Sequence, residues 1–194
     1  MNPLKINRIR HVAVYCGSRL PQAPEYAEAV REFGAFLAEH DMELIYGGSN
    51  AGLMKLLADS VLENGGRVFG VFPATLPDTL KHPNLTGCLV TGSLAERKAE
   101  MLKRADAVVA LPGGFGTWDE LFDALALRKS SRGHKHPVGI LNVNGYFDPL
   151  LEMIDRSIQL GFTRSRDRHL LKVGRTPALL FKQLAGSLVP EHSE

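Results

Sequence analysis

The chain has 194 residues, 44% of them hydrophobic and 23% charged, with a formal net charge of +2. That length holds one substantial core, and that charge is too small to argue for nucleic acid or an acidic membrane surface. Cys16 and Cys88 form no metal or redox spacing, and no apolar run reaches the length of a membrane span. The basic N-terminus has no apolar run behind it to make a signal peptide, so a cytoplasmic protein with no membrane partner is expected.

Short apolar runs alternate with helical patterns. "HVAVYC" (11–16) reads as a buried strand. "PEYAEAVREFGAFLAEH" (24–40) follows as a helix with Tyr26, Ala29, Val30, Phe33, Phe36 and Leu37 on one stripe. "MELIYG" (42–47) precedes a helix at 52–66 that ends in a glycine pair. "RVFGVF" (67–72) and "GCLVTG" (87–92) lead to a helix at 93–105, and "AVVALP" (107–112) to one at 117–129. "PVGILNV" (137–143) leads to a helix at 146–161, and a last helix spans 176–186. This alternation predicts one α/β domain over residues 1–188, a doubly wound, mostly parallel sheet with helices on both faces. The polar stretch "RKSSRGHKH" (128–136) reads as an exposed loop, and 189–194 as a flexible tail.

In a parallel sheet the loops after the strands gather along one edge, where ligands bind. Here those loops are "CGSR" (16–19), "YGGSNAGLM" (46–54), "FPATLPD" (72–78), "TGSLAERK" (91–98) and "PGGFGTWDE" (112–120). Four of the five combine glycines with hydroxyl or amide side chains. Glycine lets backbone N–H groups approach an anion, and a helix N-terminus adds positive dipole. "GGFGT" is neither the Walker pattern nor G-x-G-x-x-G, so by itself the stretch reads equally as a phosphate loop or a tight strand-to-helix corner.

Thr117 and Glu120 also fit a T-x-x-E capping box, with Thr117 as N-cap. Ser93 and Glu96 form a second box, which places Arg97 and Lys98 just past the first turn of the next helix upstream. Cations there oppose the helix dipole, and an anionic partner would remove the conflict. Arg97, flanked by Leu94 and Met101, borders the buried face. With Glu120 on the following helix it makes a plausible cation–acid site for a phosphorylated substrate. His134 and His136 fit a solvated basic loop better than a metal site, Trp118 reads as core, and Asp106 as a loop tether.

Together, "ERKAEM" (96–101) and "ADAVVALPGGFGTWDEL" (105–121) resemble the paired R-K and P-G-G-x-G-T-x-x-E signature of the Lonely Guy family, cytokinin riboside 5′-monophosphate phosphoribohydrolases often mislabelled as lysine decarboxylases. The likeness runs from "VAVYCGSR" to "DRSIQLGF". It implies a Rossmann-like subunit in a homodimer, with its site near the dimer interface. It implies hydrolysis of the N-glycosidic bond of an adenine-type nucleoside 5′-monophosphate, without metal or organic cofactor. Arg97 and Glu120 are then the catalytic pair. Gly113, Gly114, Gly116 and Thr117 hold the phosphate, helped by Gly47 and Gly48, and Lys98 completes the R-K pair. The chain departs from the family pattern at Ser49, Lys55 and Leu94-Ala95, on the base-facing side. Three competing readings are a non-enzymatic nucleotide or molybdenum-cofactor carrier on the same fold, a single-stranded nucleic-acid binder, and a lysine decarboxylase. The second rests only on 128–136, and the third lacks a recognisable pyridoxal phosphate lysine motif.

Overall fold

The structure, a computed structural model, describes residues 8–130 and 133–188; the tail expected at 189–194 lies outside them. Seven strands make one sheet: β1 (His11–Tyr15), β2 (Glu43–Tyr46), β3 (Val68–Pro73), β4 (Gly87–Thr91), β5 (Ala107–Ala110), β6 (Val138–Leu141) and β7 (Leu171–Gly174). Their order is β4-β3-β2-β1-β5-β6-β7, and every pairing is parallel. Six helices connect or follow them: α1 (Pro24–Glu39), α2 (Gly52–Glu63), α3 (Leu94–Arg104), α4 (Phe115–Lys129), α5 (Asp148–Gln159) and α6 (Pro177–Gly186). None is long and apolar enough to cross a membrane.

Strand alternation divides the core. Val12 and Val14 of β1 face one layer with Phe33, Leu37, Leu57, Val61, Phe181 and Leu184, from α1, α2 and α6. Ala13 and Tyr15 face the other with Met101, Leu102, Leu121 and Ala124, from α3 and α4. Both faces are covered, which is why the central strands read as unbroken apolar runs. Truncating a ring such as Phe33, fully buried here, costs about 3–5 kcal/mol. The edge strand β4 differs, because Cys88 and Val90 are exposed there.

The expected strands and helices form. β7 is an addition to them: it has four residues with Lys172 among them, and it is an edge strand paired only to β6. The start of α4 also differs. The helix begins at Phe115 with Gly114 as N-cap, so Thr117 lies inside the helix and is not its cap.

The chain lays down β1 to β4 in one direction, then crosses back to put β5 beside β1. That reversal is the switch point of a doubly wound sheet, and it opens a crevice between the carboxyl ends of β1 and β5.

Candidate active site

All five loops contribute to a cavity of about 980 Å³ at that crevice. Its walls include Cys16 to Arg19 after β1, Gly47 and Ser49 after β2, Leu76 after β3, Arg97 on α3, and Pro112 to Thr117 after β5. The loops are tied to one another. Gly17 donates its N–H to Pro112 O (3.1 Å), and Met54 N donates to Gly17 O (3.2 Å).

The three glycines of 113–116 serve different purposes. A Cβ on Gly113 would strike Thr117 Oγ1 and stand 2.8 Å from Gly17 N, so internal packing requires that glycine. A Cβ on Gly114 or Gly116 would meet nothing within 4 Å. No packing among the described residues explains those two, and both line the cavity. Gly114 gives the helix no side-chain cap. The first-turn N–H groups of α4 therefore lack intrahelical partners and carry the positive end of the dipole, at a cavity wall cleared of side chains.

Arg97 Nη2 donates to Glu120 Oε1, joining α3 to α4. Glu120 is only 8% exposed. Its capping-box reading fails, since α4 starts elsewhere and its carboxylate is taken by Arg97. Burial raises the Glu120 pKa above its ordinary 4.5, although Arg97 opposes the shift. Gly47 lies close against Met54 and this pair: a Cβ there would stand 2.7 Å from Met54 Cε and 3.1 Å from Arg97 Nη1. Arg97 Nε is buried with no hydrogen-bond partner among the described residues. Burial pushes the Tyr15 hydroxyl and the Cys16 thiol up, and the charge of Glu120 adds to both shifts, so both groups stay neutral beside the acid.

Not every expected site residue lines the cavity. Lys98 points elsewhere: its Nζ bonds Asp119 at 3.0 and 3.2 Å and lies 3.7 Å from Asp123. Burial works against its charge, but the Asp119 bond and the nearby carboxylates outweigh it and raise its pKa. Gly48 does not line the cavity either. It takes a positive φ of 72° and packs against Phe72, and its carbonyl accepts from His82 N. Leu94, expected beside the buried face, is exposed, and so is Trp118, which meets Phe115 edge-to-face. Asp106 does act as a tether, accepting from the backbone N–H of Arg10 and His11 at 2.9 Å each. His134 is partly buried, its Nε2 2.9 Å from Ala124 O, rather than solvated.

Tyr146 joins the site without any signal in the sequence. Its hydroxyl donates to Gly113 O, and its ring meets Tyr26 edge-to-face; both tyrosines line the cavity. It sits 33 residues beyond Gly113, and no local pattern announces the contact.

Residues 54–184 match the family model described as "Possible lysine decarboxylase". A probable cytokinin riboside 5′-monophosphate phosphoribohydrolase of Oryza sativa subsp. japonica is 38% identical over 189 residues, 97% of this chain and 77% of that protein. A cytokinin riboside 5′-monophosphate phosphoribohydrolase of Arabidopsis thaliana is 35% identical over 97% of this chain and 88% of its own length. Among solved structures, a molybdenum cofactor binding protein from Rippkaea orientalis superposes with a TM-score of 0.69 at 19% identity, covering 91% of this chain and 96% of that one. At that identity the likeness shows the shared fold alone.

Proposed function

We infer the reaction from one premise: the chain belongs to the family described as possible lysine decarboxylases, which includes cytokinin riboside 5′-monophosphate phosphoribohydrolases from Oryza and Arabidopsis. The protein is a hydrolase that cleaves the N-glycosidic bond of a nucleoside 5′-monophosphate, releasing free base and ribose 5-phosphate. The observation that carries this reading is the part-buried Arg97–Glu120 pair beside a bare, glycine-lined helix N-terminus. The decarboxylase activity that the family description names finds less support, since no lysine lines the cavity among the described residues. A carrier role is supported only by distant fold likeness.

In this reading the 5′-phosphate sits on the first-turn amides of α4, at Gly114, Gly116 and Thr117. Departure of the base builds positive charge on the ribose, and the Glu120 carboxylate beside it stabilises that charge. Glu120 also orients and deprotonates the attacking water. Arg97 acts by position and charge: it fixes Glu120 and keeps more of it ionised. The adenine-type base packs on apolar side chains of the cavity wall, for which Tyr26, Met54 and Leu76 are candidates.

The protein acts as a homodimer in the cytoplasm in this proposal. Phe115 is 85% exposed and lines the cavity, and the exposed Trp118 and Phe122 continue it as an apolar stripe along α4, which a second copy would cover. Incubation with AMP and with prenylated adenosine monophosphate, followed by chromatography, tests the reaction. Free base with stoichiometric ribose 5-phosphate is expected; intact nucleotide in both cases overturns it.

A further inference from the structure

Arg128, Lys129 and Lys135 stand outside the catalytic cavity, yet the fold joins this basic run to a second one far away in sequence. The segment Ser165–Leu170 packs against the end of α4, pinned by Lys129 Nζ to Asp167 Oδ2 at 2.7 Å. That bond holds the Asp167 carboxyl below the usual carboxylate range. Between the two runs, β7 and the end of α6 lies a cavity of about 960 Å³. Its walls carry Arg128, Lys129, Lys135, Arg164, Arg166 and Lys172, with His169 beside them. Asp167 is the one carboxylate on those walls among the described residues.

Six of the chain's 23 lysines and arginines and one of its 21 acids stand here, so the cavity carries a formal +5 and the rest of the chain −3. A net charge of +2 conceals this segregation. Like charges gathered around one hollow repel each other, and an anion seated among them removes the repulsion. Arginines present forked donors suited to phosphate oxygens, and lysines add point charge. No aromatic side chain other than His169 lines the hollow among the described residues, so it offers little stacking surface for bases. It also lies away from the catalytic cavity. The fifteen residues of α4 extend about 22 Å, with Gly114 at one end and Lys129 at the other.

We propose that this cavity is a second anion site, separate from catalysis, that takes a compact polyanion with several phosphate groups. Calorimetric titration of the full chain with sodium tripolyphosphate at low ionic strength tests it. The Gly116→Val variant is titrated in parallel to remove any contribution from the catalytic loop. A saturable event is expected that persists in Gly116→Val and weakens about tenfold or more in the double variant Arg164→Ala/Arg166→Ala. Nucleotide turnover of the double variant is expected to be unchanged, since neither residue lines the catalytic cavity. Arg166→Glu, also at an exposed position, gives a second reading if the double variant folds poorly. No saturable event, or binding that all these changes leave untouched, overturns the proposal. So does tighter binding of a single-stranded oligonucleotide of equal charge through the same residues, which would assign the cavity to nucleic acid.

Discussion

Two helices start side by side at the ligand edge and solve the same problem in opposite ways. At α3, Ser93 Oγ accepts from Glu96 N at 3.1 Å, and Glu96 Oε2 accepts from Gly92 N at 2.7 Å, so side chains answer the loose donors. At α4 no side chain caps the helix, and the acid six residues beyond its N-cap turns to Arg97. S-x-x-E and T-x-x-E look equivalent as text. One is a closed structural end, while the other leaves its first-turn amides uncapped and turns its acid to a neighbouring helix.

Exchanging the two acids breaks the comparison most sharply. Glu120→Gln is expected to lower kcat/KM about 10²- to 10⁴-fold by removing the general base. Glu96→Gln should leave turnover intact and cost at most about 1 kcal/mol in thermal unfolding. Equal losses of activity would mean that both acids are structural.

Filling the open helix end comes next. Gly116→Val projects into space that none of the described residues occupies, so the melting temperature should hold while KM rises about tenfold or more, equivalent to about 1.4 kcal/mol. Gly113→Ala should instead lower the melting temperature, because its Cβ collides with Thr117 Oγ1. A valine at 116 that leaves KM unchanged would remove the phosphate from this helix end.

The smallest effect is in pH dependence. In the proposed mechanism Glu120 works as a carboxylate, and burial raises its pKa above 4.5. Acidification therefore protonates it earlier than an ordinary glutamate, and kcat/KM should fall as pH drops through that raised value. Among its charged neighbours Arg97 and Lys98 lower the pKa and Asp119 raises it. Arg97→Gln removes the strongest stabiliser of the charge, so the acid limb of the residual activity should move to higher pH. A limb that stays in place in this variant would separate Glu120 from the titration.

Much of the fold is legible in the sequence because the sheet is covered on both faces. Apolar runs without alternation report β1, β2, β3, β5 and β6, and the order of loops reports the convergence on one edge. β7 escapes because an edge strand of four residues can carry a lysine without penalty. The start of α4 is ambiguous in the sequence because Thr117 fits a cap as well as it fits the space over Gly113. Only the neighbouring helix, which brings Arg97 to Glu120, decides between them. Lys98 misleads for the same kind of reason: adjacent to Arg97 in sequence, it stands on another side of the helix and meets Asp119. Tyr146 reaches the loop through tertiary folding alone.

The bond from Tyr146 to Gly113 bears on a neighbouring atom. The carbonyl that receives the hydroxyl belongs to the same peptide unit as the N–H of Gly114, the residue that opens α4. Hydrogen bonding at the oxygen draws electron density across the planar amide and leaves the opposite hydrogen more positive. A tyrosine from the far half of the chain thereby sharpens a backbone donor it never touches, polarising the amide from behind.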